Sequence, residues 1–155
     1  MKIVRVQGRK ILDSRGDPTL ECCIELSGGH IVRASVPSGA SVGKYEALEL
    51  RDIDSARFGG KGILTAKHNV ETEIAKLLID KKPDFELLDQ VMIDLDGTEN
   101  KKNLGANAML AASIALVRAQ AVTQGVEPFQ LIAQKMNIQF PHVPRCMFNL
   151  LNGGM

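Results

Sequence analysis

The sequence has no tryptophan, one tyrosine and five phenylalanines. So few aromatics argue against base-stacking platforms for single-stranded nucleic acid. There is no excess of charge either: 19 Lys and Arg stand against 18 Asp and Glu, a formal net charge of +1. The basic residues are scattered, so the electrostatic footprint of a nucleic-acid binder is missing. Cysteine is sparse and odd in number, with Cys22 next to Cys23 and Cys146 far away. No C-x-x-C spacing occurs, which argues against a zinc site or a redox dithiol. Reduced thiols of a cytosolic protein are the expectation, with Cys22 and Cys23 on opposite faces of a strand. The opening MKIVRVQGRKIL is broken by Arg5, Gln7 and Arg9 and makes no signal-peptide core. The longest apolar stretch, 104–122, carries Asn107, Ser113, Arg118 and Gln120 among many alanines. That content suits a buried central helix better than a membrane span.

What is present is ordinary globular material: 155 residues, 45% hydrophobic and 24% charged, with no repeat. That length supports one domain with a core of its own. Residues 2–12 read as a strand ending in the turn chemistry of DSRGDP. Residues 19–26 alternate, Leu20, Cys22, Ile24 and Leu26 against Thr19, Glu21, Cys23 and Glu25. SGGH at 27–30 makes a tight hairpin, and Val32, Ala34 and Val36 share one face of the next strand. Three strands on short turns form an antiparallel meander with one wet face.

After Val36 the period changes. YEALELRD suggests a helical turn or two. Residues 62–79 carry Ile63, Ala66, Val70, Ile74 and Leu77 on one helical stripe. Residues 84–95 place Leu87, Leu88, Val91 and Leu95 at helical spacing, with Asp84 as N-cap. Residues 105–124 form a long helix stopped by Gly125, and Pro128 opens a short one to about Met136. RCMFNLL then reads as a strand running into NGG. Strands followed by helices give an α+β layer pair: a three-stranded antiparallel meander followed by about four helices on one face.

Several polar stretches invite chemistry. VPSGASVGKYEALELRD, residues 36–52, could be a linker, a phosphate cradle or a lid. Asp94, Asp96, Glu99 and Asn100 echo a calcium loop, but its sixth and twelfth positions here are Glu99 and Gly105, so the pattern fails. They read as a helix end with turn-forming acids. GGKG at 59–62 lacks the full phosphate-loop pattern and the strand before it. His68 and His142 sit apart from any carboxylate cluster or nucleophile and read as surface or satisfied structural residues. Arg9, Arg15 and Glu21 read as a solvated strand face.

ILDSRGDPTLE, RASVPSGAS, GKYEALELRD, MIDLDGTENKKNLGANAMLAASIA and VPRCMFNLLNGG together resemble the amino-terminal domain of enolase, phosphopyruvate hydratase. They follow that family's order and spacing along nearly the whole sequence. The resemblance implies a cap over a β/α barrel, and a barrel takes about 250 residues. It further implies that the barrel carries the base, the acid and the carboxylates of a first Mg²⁺. Residues 1–140 would then be the cap and 141–155 the first strand and loop of a truncated barrel, leaving the barrel absent. The reaction so implied is dehydration of 2-phosphoglycerate to phosphoenolpyruvate in glycolysis, reversed in gluconeogenesis. Known members use a Lys or His base with one or two Mg²⁺ ions. This piece alone is expected to be inactive.

By resemblance, Ser38, Gly39, Ala40 and Ser41 are the lid loop, and Ser41 gives oxygen ligands to a second Mg²⁺. Val42 departs from the family, in which many members carry Thr. Without the barrel, the lid is expected to be mobile and metal-free. Residues at the places of Arg9 and Glu21 pair with the partner's barrel in a homodimer, a pairing expected to be missing here. A cytoplasmic protein with no nucleic-acid partner and no membrane span is expected. The alternative is a free-standing binding or scaffold module derived from enolase.

Overall fold

The computed structural model describes residues 1–39, 43–54, 56–139, 142–148 and 150. The strands are β1 (Ile3–Leu12), β2 (Pro18–Leu26) and β3 (Ile31–Ser35), joined antiparallel in the order β1-β2-β3. Cys22 stands between Gly8 and Ala34, and Ile24 between Val6 and Val32. The alternation in β2 is realised: Leu20, Cys22, Ile24 and Leu26 are all buried. β1 breaks strict alternation, since Ile3 and Val6 both face inward. A register shift between Ile3 and Arg5 re-aims the strand and brings both residues into the core. At the other end of the ladder Thr19, opposite Ile11 and expected on the outer face, is buried and donates its hydroxyl to the Val36 carbonyl at 2.6 Å.

Among the described residues, four helices follow the sheet. The first is a continuous rod made of α1 (Leu64–Asn69), a π-helical segment (Val70–Ile74) and α2 (Ala75–Leu78). The residues flanking each junction all keep right-handed helical torsions. Ile63, Ala66, Val70 and Ile74 are buried as their stripe predicts, but the stripe closes on Leu78, with Leu77 at its margin. The wider i→i+5 turn advances the phase of the helix. At Gly8, β1 comes close to this rod. A Cβ there would sit 3.0 Å from the Lys67 carbonyl oxygen.

The next helix, α3 (Phe85–Asp96), starts at Asp84, whose side chain accepts from the Leu87 amide at 3.3 Å. Its buried stripe is Leu88, Met92 and Asp96. The expected Leu87, Val91 and Leu95 stripe is corrected: Leu87 and Leu95 are exposed and Val91 is only half-buried. This helix is apolar on two adjacent faces, so periodicity alone is ambiguous by one residue. Contact with α4 resolves it.

α4 (Ala106–Gln124) runs across the inner face of β2 and β3 and ends at Gly125 in the left-handed region, φ 70°. It is long and apolar enough to cross a membrane by length and composition, yet it packs within the core. Ala108, Ala111, Ala112, Ala115 and Ala119 are fully buried, so the helix backbone lies close to its neighbours. α5 (Pro128–Lys135) begins with a capping box between Glu127 and Gln130.

Two further expectations change. Residues 46–50 form no helical turn but an extended arm. The Leu48 amide donates to Asn100 O at 2.7 Å, and the Ala106 amide to Leu48 O at 2.8 Å. Residues 145–148 are not in a strand, since a strand exists only with a partner ladder and no described strand runs beside them.

The alanine face of α4 makes a direct test of this packing. Leu116→Ala is expected to destabilise by about 2–5 kcal/mol through cavity formation. Ala115→Leu is expected to destabilise by about 1–3 kcal/mol through overpacking. Urea unfolding monitored by far-UV circular dichroism would measure both.

Candidate functional site

The segment after β3 is held by groups from two separated parts of the chain, the turn after β1 and the arm around residues 49–51. Ser38 is the centre of this arrangement. Its hydroxyl donates to Glu49 Oε2 at 3.1 Å and accepts from Arg51 Nη2 at 2.8 Å. Its carbonyl accepts from Arg15 Nη2 at 2.9 Å. Arg15 is itself braced by Asp13, whose carboxylate takes both the Arg15 side chain and the backbone amides of Arg15 and Asp17. Arg51 also donates from Nη1 to the carbonyls of Pro18, at 2.6 Å, and Lys61, at 2.7 Å, and pairs with Glu49 at 2.5 Å. Only an arginine presents enough donors in one plane to reach all four acceptors.

Ser38 and Gly39 are the described part of the predicted loop. Ala40, Ser41 and Val42 lie outside the described residues. On the far side, the Gly43 amide donates to Glu46 Oε2 at 2.9 Å and the Glu46 amide returns to Gly43 O at 3.2 Å. A cleft of about 450 Å³ lies alongside, lined by residues including Asp13, Arg15, Thr19, Val36 and Ser38. A smaller one of about 120 Å³ lies between Gly39, Glu46, Glu49 and Asn107.

The extended arm is positioned by residues that the sequence reading did not single out. Asn107 acts as a strand edge in miniature. Its Oδ1 accepts from the Leu50 amide at 3.1 Å and its Nδ2 donates to the Leu50 carbonyl at 3.1 Å. Gly105 must be glycine for this approach. Its φ is 92°, and a Cβ would stand 2.6 Å from Leu50 Cβ. Farther along the arm, Asp52 caps α1 from a distance. Its carboxylate accepts from the amides of Leu64, at 2.7 Å, and Thr65, at 3.0 Å, and from the Thr65 hydroxyl at 2.8 Å. Burial raises the Asp52 pKa, but these donors outweigh it and hold the group below its ordinary value.

Asp96 is the buried counterpart. Its carboxylate accepts from the amides of Thr98, Asn103 and Leu104 and from the Thr98 hydroxyl. Burial pushes its pKa up, and the four hydrogen bonds together bring it below the usual carboxylate range. Asp94 is paired with Gln90. The DLDGTEN stretch is thus a helix end closed by its own acids, as its failed calcium pattern suggests.

Arg9 and Glu21 face each other across β1 and β2, with an ion pair of 2.9 Å on the outer side of the sheet. Cys22 is buried, and burial followed by the neighbouring Cys23 and Glu21 pushes its thiol up to about 12, an inert sulfur. All three cysteines are free. His68 and His142 are exposed. Among the described residues no three His, Cys, Asp or Glu side chains cluster to hold a metal ion. Apart from this region, an apolar cleft of about 240 Å³ opens between α3 and α4. Asp89 lines it, bound by the Ser113 hydroxyl at 2.7 Å and raised in pKa by burial despite that bond.

A three-stranded antiparallel meander followed by helices, with Ser38 clamped just beyond the end of β3, defines an α+β domain. The family model for the enolase N-terminal domain matches residues 3–132. The chain belongs to that family.

The lowered pKa values of Asp52 and Asp96 set a pH dependence. Their stabilising contribution is complete above the unfolded carboxylate value of about 4 and is lost as pH falls through the lower folded values. Asp96→Asn is expected to be less stable at neutral pH by about 1–3 kcal/mol, because each carboxylate oxygen serves two donors and the oxygen replaced by the amide nitrogen leaves both without an acceptor. It should also lose less stability than the parent between pH 5 and pH 2. Thermal unfolding of both proteins across that range would show it, and parallel pH profiles would contradict it.

Proposed function

We propose that the chain is the amino-terminal domain of an enolase that dehydrates 2-phosphoglycerate to phosphoenolpyruvate and catalyses the reverse. The family match over residues 3–132 carries this reading. The clamped geometry at Ser38 supports it, because the loop most characteristic of the resemblance is the one that so many side chains converge on. In this reading Ser38, Gly39, Ala40 and Ser41 form a loop over a site shared with a barrel domain, and Ser41 contributes oxygen to a second Mg²⁺.

The donor chemistry fits such an ion. Mg²⁺ takes hard oxygens and is commonly shared with substrate phosphate rather than enclosed by protein. When bound, Mg²⁺ stabilises charge that develops on the substrate carboxylate. The chain's own part is positional. Arg51, Glu49 and Arg15 fix Ser38, Glu46 holds Gly43, and the span between them carries Ser41. The Ser38 hydroxyl is already used as both donor and acceptor, so Ser41 is the better candidate for the ion.

We assign proton transfer to a barrel domain and dimer contacts to the outer sheet face around Arg9 and Glu21. A cytoplasmic setting accords with the three free thiols. The purified 155-residue chain, given 2-phosphoglycerate and Mg²⁺, is expected to form no phosphoenolpyruvate. The product of the complete coding sequence is expected to form it, and Ser41→Ala to raise the Mg²⁺ concentration needed for half-maximal rate. Turnover by the 155-residue chain that a chelator abolishes would refute the division of labour. An inactive complete product would refute the enolase reading.

A further inference from the structure

We infer that the cleft between α3 and α4 binds a small neutral aromatic molecule carrying one O–H or N–H donor, a phenol or an indole, with Asp89 as the acceptor. The inference is independent of the enolase reading and needs neither a barrel nor a metal ion. It starts from one atom. Asp89 Oδ2 accepts from the Ser113 hydroxyl at 2.7 Å, which joins α3 to α4. Asp89 Oδ1 is buried without any hydrogen-bond partner, the one such side-chain atom among the described residues. An acceptor in that state is costly, and buried polar atoms are nearly always supplied with a donor. Asp96 shows the contrast. It stands about two turns further along the same face of α3, and its carboxylate has four donors. Burial raises the Asp89 pKa, and the single bond from Ser113 does not offset it.

The cleft that Asp89 lines has a volume of about 240 Å³. Pockets for drug-sized ligands run from about 300 to 1,000 Å³, so this one suits a single ring. Its lining is apolar apart from Asp89, Lys101 and Ser113. Met92 and Met109 are buried, whereas Ile93 and Leu110 are 40% and 47% exposed and stand at the open side. Thioethers make favourable contacts with aromatic rings. Their unbranched side chains also yield readily, which lets a ring enter and its donor reach Oδ1. The charges select against other ligands. Lys101 lines the cleft, and its Nζ donates to the Thr98 carbonyl at 3.0 Å rather than to Asp89. A ligand cation would meet that ammonium and would also have to leave its hydration behind. An anion would meet the Asp89 carboxylate. A neutral ring with one donor avoids both and supplies what Oδ1 lacks.

The test titrates phenol into the 155-residue chain carrying methyl-labelled Met, Ile and Leu, followed by NMR. Saturable shifts are expected at Met92, Ile93, Met109 and Leu110, with a Kd of about 1 mM, ordinary for so small a ligand. Anisole keeps the ring and lacks the donor. It is expected to bind about tenfold more weakly, the loss of one hydrogen bond to a charged group. Asp89→Ala removes the acceptor and is expected to bring phenol and anisole to the same affinity. Its thermal midpoint shows whether the variant is folded. If it is not, the ratio of phenol to anisole in the parent chain decides alone. Equal binding of the two by the parent would overturn the inference, leaving an apolar cleft in which an ordered water serves Oδ1. So would tighter binding of benzylammonium than of phenol, or no saturable shift at the cleft methyls.

Discussion

The buried carboxylate of Asp96 is the constraint on which the rest of the site depends. Taking a charged carboxylate out of water is costly, and here the cost is offset by four donors from the following eight residues. Those donors wind residues 98–104 into one defined path between α3 and α4. Asn69 braces the same path from the first helix through the carbonyls of Asn103 and Leu104. The path ends at Gly105, where α4 begins with Asn107 facing the arm. Asp96 thus decides where the Asn107 carboxamide stands, and Asn107 decides where Leu50 stands.

From Leu50 the order passes along the arm in both directions. Glu49 and Arg51 flank Leu50 and reach Ser38, while Asp52 reaches the first turn of α1. An extended segment without a sheet neighbour must find partners for its amides and carbonyls, since unpaired buried groups are expensive. Here side chains supply much of what a neighbouring strand would have supplied. The same arm therefore organises both the start of the helical layer and the exit from the sheet. The arm thereby ties the exit of the sheet, the first helix and the start of α4 together. On the proposed reading, the chemistry is done elsewhere and the domain's task is to bring a hydroxyl to a shared ion.

The sheet was largely legible in the sequence. Alternation in 19–26 and 31–36 is a property of one short segment at a time, and the hydrophobic face of each had only one place to go. The long helix and its glycine stop were equally plain, because Ala106–Gln124 is apolar on nearly every side and Gly125 suits a left-handed end. The face of α3 was not legible. Leu87 and Leu88 are neighbours of equal hydrophobicity, and only packing against α4 separates the buried one from the exposed one. The arm was misread for a related reason: Glu, Ala and Leu favour a helix, but Asn107 and Asn100 offer their hydrogen bonds to an extended chain.

The candidate loop shows the same boundary. Its serines and glycines, and the family they resemble, could be read from the residues alone. The grip on Ser38 could not, because Arg15, Glu49 and Arg51 are ordinary charges in sequence and acquire a role only when three separate segments meet. The sequence by itself determined the three strands, the alternating apolar face of β2 and β3, the long helix and the family. The tertiary structure alone decided which of two adjacent leucines is buried, which carboxylate is dehydrated and which arginine holds the loop. Periodicity and turn chemistry act over a few residues, whereas these choices depend on contacts between residues as far apart as Leu50 and Asn107.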